Sequence, residues 1–181
     1  MLLSILIAFI IAKYYKLRVQ PLFQCIWILP FAVCEVIYIV FQIATVNGYY
    51  GFLPYAHYLK SAFLYTLLLP IVRYKLYKPS VVGSAMILIG TYMNRVVMMA
   101  NDGKMPIFPS LTKWTGYFSS TPLGVTDTIH CMGNSATKLK FLADYIDIGY
   151  SILSPGDVLV HSFTSIIIYY ILKQLNTEAA R

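Results

Sequence analysis

Five apolar runs dominate this chain, and water is a poor solvent for all of them. They cover roughly residues 1–15, 21–46, 55–72, 81–100 and 155–172. A helix needs about 20 predominantly apolar residues to cross the roughly 30 Å hydrocarbon layer of a bilayer. The runs therefore predict an all-α membrane protein with five transmembrane helices, built as a single integral membrane domain over residues 1–181. The first run is short, and Lys13 and Lys16 extend it by snorkelling to the surface on aliphatic stems. Pro30 and Pro70 need not end their spans, because neighbouring helices can satisfy the carbonyls that a proline frees. MLLSILIAFIIA has no basic stretch before it, and KYYKLR follows it in place of a small-residue cleavage site. It is expected to be a retained span rather than a signal peptide.

Composition agrees. The chain is 59% hydrophobic and 12% charged, against about 25% charged residues in soluble domains. Its net charge of +7 sets orientation in such a chain, because lysine and arginine collect in cytoplasmic loops. With the N-terminus outside, the inner loops hold Lys13, Lys16 and Arg18, then Arg73, Lys75 and Lys78, and the inner C-terminal tail holds Lys173 and Arg181. The first outer loop, NGYYGFLP, holds no basic residue. The pattern predicts an N-out, C-in topology. The 16 tyrosines suit bilayer interfaces, where the ring is buried and the hydroxyl stays wet.

Residues 101–154 are not a span. NDGKMPIFPS is expected to turn at Gly103 and run extended through KMPIFPS, because a proline pushes its predecessor away from helix. LTKWTGYFSS mixes aromatic and small polar residues, which suits an interfacial stretch. TPLGVTDTIHCMGNS is rich in turn formers. In KLKFLADYIDI, the positions of Leu139, Leu142, Ala143 and Ile146 predict a short helix. A structureless stretch of this length is unusual in a compact domain. A partly structured extracytoplasmic cap between the fourth and fifth spans is the expectation.

Polar residues within apolar runs are functional candidates by default. Glu35 and Arg95 each lie 14 residues beyond the start of a span, after Pro21 and Val81. At 1.5 Å per residue both rise about 21 Å, so they can pair and set helix register, or line a polar pathway with Asn94. Asp157 and His161 share one helix face. Ser154-Pro-Gly-Asp157 also reads as a helix start, with Ser154 as N-cap and Asp157 closing a capping box. Asp127, His130, Asp144 and Asp147 sit in the cap region. Asp127, His130 and Asp144 could offer a divalent ion its ligands, but their spacing matches no metal motif, and ordinary polar roles are expected. Cys25, Cys34 and Cys131 fit neither a disulfide framework nor a zinc site. The chain lacks a phosphate-binding glycine loop, H-E-x-x-H and G-x-S-x-G. No motif names a cofactor, and this hydropathy does not suit a nucleic-acid surface.

The segment Asn101-Asp-Gly-Lys-Met-Pro106 resembles the N-G-G-x-M-P-V signature of a family of small bacterial membrane proteins of unknown function. Leu142-Ala-Asp144 resembles its L-G-D step, and Gly156-Asp157-Val158-Leu159 its later G-D-V-L step. Asp102 and Ala143 stand where the pattern has glycine. The resemblance implies a protein of the bacterial cytoplasmic membrane and an important surface around Asn101, Met105, Pro106, His130, Asp144 and Asp157. It implies no activity. The leading expectation is a non-enzymatic protein that binds a lipid-like or small amphipathic ligand, or a partner subunit, in a capped polar cavity. A small transporter component with substrate among Glu35, Arg95 and His161 is the first alternative. A metal-assisted interfacial enzyme on a lipid-linked substrate, using Asp127, His130, Asp144 and Asp157, is the second.

Overall fold

The computed structural model describes residues 2–118 and 129–179. It is mostly helical: α1 (Leu2–Tyr14), α2 (Gln20–Phe23), α3 (Leu29–Val46), α4 (Ala56–Arg73), α5 (Tyr77–Ala100), α6 (Leu111–Trp114) and α7 (Pro155–Ala179). Among the described residues there are also four short strands: β1 (Met105–Ile107), β2 (His130–Met132), β3 (Ile146–Asp147) and β4 (Ile152–Leu153). Among the described residues, three helical stretches are long and apolar enough to cross a membrane, namely Ile26–Val46, Tyr77–Ala100 and Pro155–Ala179. Leu2–Tyr14 and Ser61–Arg73 are apolar but shorter. The long helices expose apolar side chains, including Val36, Val40, Ile43, Leu88, Ile89 and Met99.

The second apolar run is interrupted. Pro21 sits in the first turn of α2. Cys25 is extended, a 3-10 turn spans Ile26–Ile28, and only then does α3 begin. Pro30 falls in the first turn of α3, where its missing N–H leaves no bond unmade. Pro70, by contrast, lies inside α4.

Several helices end alike. Leu17 N–H donates to Ala12 O, Tyr49 N–H to Ala44 O, and Leu76 N–H to Ile71 O, each at 2.9 Å. These bonds take up carbonyls left over in the last turn. The left-handed residue that allows each bond is Lys16, Gly48 or Lys75. Two of the three are lysines, whose charge favours the negative end of the helix dipole.

The chain forms two compact units. The first comprises Met1–Ile37, Tyr58–Ile87 and Val160–Arg181. Ser4, Ala8 and Ala12 make a buried small-residue face on α1, and Ser165 Oγ on α7 donates to Ser4 O at 3.0 Å. Phe31 and Phe63 meet edge to face at 5.4 Å. Leu67, Ile167, Ile171 and Leu172 are fully buried. Asn176 ties the chain after α1 to α7 by accepting from Arg18 N–H and donating to Arg18 O, both at 2.9 Å.

The second unit comprises Tyr38–His57 and Leu88–Leu159. β1 and β2 pair in parallel, with Met105 opposite His130 and Ile107 opposite Met132. A further parallel bridge joins Ile107 to Asp144, and β3 and β4 form an antiparallel ribbon. The expected extended course of KMPI is present. The expected helix through Leu139, Leu142, Ala143 and Ile146 is not. Leu139 is left-handed, Lys140–Leu142 is a single 3-10 turn, and Ala143 is extended. The physical reason is backbone pairing: Asp144 N–H donates to Pro106 O at 3.1 Å and Phe108 N–H donates to Asp144 O at 2.8 Å. A helix would withdraw those groups from β1.

Candidate functional site

The second unit gathers most of the polar residues singled out above. α5 ends at Ala100, and Gly103 N–H returns to Met98 O at 2.8 Å. Asp102 and Gly103 are both left-handed there, a conformation that glycine adopts without strain. Asn101 serves as a two-sided clamp. Its Nδ2 donates to Val97 O at 2.9 Å and to Lys138 O at 3.0 Å, and its Oδ1 accepts from Lys138 N–H at 3.0 Å. The turn after α5 then delivers Met105 into a small core with Val97 and Ala143. Pro106 and Ile107 are buried beside it.

His130 enters opposite Met105 on β2. Its Nε2 lies 3.6 Å from Asp144 Oδ2. Asp144 is only 3% exposed, so the imidazole is a polar neighbour for a carboxyl group that burial withdraws from water. The pair closes side-chain to side-chain the same strands that β1 joins through the backbone.

A second network joins α5 to the start of α7. Ser154 is the N-cap expected from sequence: Asp157 N–H donates to Ser154 Oγ at 2.9 Å, and Ser154 N–H donates to Asp157 Oδ2 at 3.1 Å. Asn94 completes it. Its Nδ2 donates to Asp157 Oδ1 at 2.9 Å, and its Oδ1 accepts from Ser154 Oγ at 2.8 Å. Gly156 lets the two helices approach this closely, since a Cβ there would lie 2.6 Å from Gly90 O.

Asp147 organises the remainder. Its Oδ2 accepts from the N–H and hydroxyl of both Ser110 and Thr112, at 2.6 to 3.3 Å. Its Oδ1 accepts from Gly149 N–H at 2.9 Å. Partial burial pushes this carboxyl up, but the bonds from Thr112, Gly149 and Ser110 outweigh burial and hold it below the usual range. Thr115 Oγ1 donates to Gly149 O.

The other candidates take no part in these networks. Arg95 is exposed on α5, so it is not the buried half of an ion pair. Glu35, at 6% exposure, and the partly buried His161 belong to the first unit. Asp127 lies outside the described residues. Among the described residues, no group of three or more His, Cys, Asp or Glu side chains is placed to hold a metal. Thr112 and the Asn101–Lys138 clamp escaped sequence reasoning. Thr112, fully buried, had only the Ser-Leu-Thr pattern at the start of a short helix as a signal.

The first unit holds a cavity of about 400 Å³ between α1, the α2 region, α3 and α7. Ile5, Phe9, Leu22, Phe31 and Ile168 make its apolar wall, and Gln24 and Glu35 are its strongly polar members.

Residues 20–169 match a family of unknown function, DUF5317. The chain belongs to this family. The DUF5317 match contains both NDGKMP and GDVL, and with them the Asn101 clamp, the His130–Asp144 pair and the Asn94–Ser154–Asp157 network. No curated protein and no solved structure matches the chain.

Proposed function

We propose that this DUF5317 protein is a five-span integral membrane protein that holds a lipid-like or small amphipathic ligand, as an accessory subunit of a larger membrane assembly. In this reading α1 and the short apolar part of α4 join the three longer helices as spans. The N-terminus is outside, the C-terminus is inside, and residues 101–154 form the extracytoplasmic cap of a bacterial cytoplasmic membrane protein.

The cavity in the first unit carries the reading. About 400 Å³ falls within the range of pockets that take small ligands. An apolar wall with a few polar groups suits an aliphatic body and a single head. Glu35, the acidic side chain lining the cavity, favours a polar, hydrogen-bonding head. The polar residues of the second unit support a different role in the same protein: Asn94, Ser154 and Asp157 satisfy one another, which makes them a joint between helices.

Native mass spectrometry of the protein, purified gently from its own membrane, tests this. A retained small amphipath is expected, and it is expected to be lost in Glu35→Gln and in Ala32→Phe, which narrows the lined space. A second polypeptide in the spectrum identifies the assembly. A bare, folded chain from every preparation overturns the proposal.

A further inference from the structure

The exposed surface of the second unit has a separate chemistry. Arg95, Lys104, Lys113, Lys138 and Lys140 are all exposed. The described acids of residues 101–154 do not balance them on the surface. Asp144 is buried beside His130, and Asp147 is engaged by Ser110, Thr112 and Gly149. Asp102 is the one exposed acid among the described residues of the segment.

Aromatic side chains stand next to two of these lysines. Trp114, beside Lys113, is 90% exposed, and Phe141, beside Lys140, is 66% exposed. Leu111 and Tyr145 are exposed as well. Water gives no reason to present a tryptophan and a phenylalanine this fully. The backbone places the segment at a helix end: Asn101 binds Val97 O on α5 and both backbone groups of Lys138. Lys104 follows the same helix end, and Arg95 lies a little over one turn before it. A membrane-length helix ends near the headgroup level, where tryptophan and tyrosine prefer to sit and basic side chains meet phosphate.

We propose that these exposed residues form a docking surface for an anionic bilayer, with Arg95 and the four lysines engaging lipid headgroup phosphates and Trp114 and Phe141 seated in the interface. The proposal is independent of the cavity in the first unit. It assigns Arg95 a headgroup partner in place of Glu35.

The chain has two tryptophans, Trp27 and Trp114, so Trp27→Phe makes Trp114 the sole reporter. The full chain is reconstituted in nanodiscs of phosphatidylcholine or of phosphatidylglycerol. Quenching by headgroup-proximal brominated lipid is compared with quenching by aqueous iodide. The expected result is a blue-shifted Trp114 emission quenched by lipid, with both effects larger in phosphatidylglycerol. That difference is expected to disappear in the Lys104, Lys113, Lys138 and Lys140→Gln variant. It should also disappear for the unsubstituted lysines in about 1 M salt, where the screening length is about 3 Å; this arm decides the matter if the variant does not fold. Iodide quenching without lipid quenching overturns the proposal. So does lipid quenching equal in both lipids, which is apolar insertion without charge recognition. Protection from both quenchers overturns it too, because a protein surface then covers Trp114.

Discussion

Asn94 on α5 donates to Asp157 on α7 at 2.9 Å, and the same asparagine accepts from Ser154 at 2.8 Å. One amide thus completes the cap of one helix from the side of another. Replacing Asn94 with leucine removes both bonds and leaves a partly buried carboxylate short of a donor. A loss of about 1–3 kcal/mol is expected, read as a lower unfolding temperature in detergent. Unchanged stability would mean that the network is not maintained in the folded protein.

Gly156 is the steric condition for that bond. Alanine there meets Gly90 O at 2.6 Å, a backbone atom that cannot rotate away. Gly156→Ala is expected to force the helices apart and to cost about 1–3 kcal/mol. Gly133→Ala is the informative comparison. Its Cβ meets the ring of Phe108, a side chain able to move, so its thermal shift should be the smaller of the two.

The His130–Asp144 pair should control the stability of the strands around β1. His130→Ala withdraws the imidazole from a carboxylate that is 3% exposed, and about 1–3 kcal/mol is expected to be lost locally. Hydrogen exchange at Met105 N–H and Gly133 N–H, which bond to Ile129 O and Ile107 O, is the readout. Faster exchange there, with α5 amides unchanged, is the predicted pattern.

Asp147 predicts a pH dependence with a definite sign. Its carboxyl is held below the usual range by the Thr112, Gly149 and Ser110 bonds, against partial burial. A depressed folded-state pKa stabilises the fold above the unfolded value, about 4, and that stabilisation is lost as pH falls toward the folded value. The difference in unfolding temperature between the native chain and Asp147→Asn should therefore be full above about pH 4 and shrink below it. A difference that grows on acidification would contradict the assignment.

Topology is tested by a reporter fused after residue 181. A C-in orientation predicts that a fluorescent protein there matures on the cytoplasmic side, and that alkaline phosphatase at the same place stays inactive. The opposite pair of results would reverse the orientation inferred from the basic loops.

What the sequence determined by itself was local. Apolar runs marked where long helices form, because hydropathy is summed over neighbouring residues. Ser154-Pro-Gly-Asp157 marked the start of α7, because the two bonds between Ser154 and Asp157 lie within four residues. KMPI was legible as extended, because proline acts on its immediate predecessor. The tertiary structure decided what depends on distant partners. Leu139, Leu142, Ala143 and Ile146 have helical spacing, yet the backbone of Asp144 is claimed by Pro106 and Phe108, nearly forty residues earlier. Arg95 and Glu35 share a predicted depth, yet only Glu35 is buried, because depth follows from rise per residue whereas the face a side chain takes depends on what packs against the helix. The sequence marks Asn94, Asn101 and Asp147 as polar candidates but does not name their partners. Folding gives them their roles by bringing to them backbone and side-chain donors that no local pattern announces.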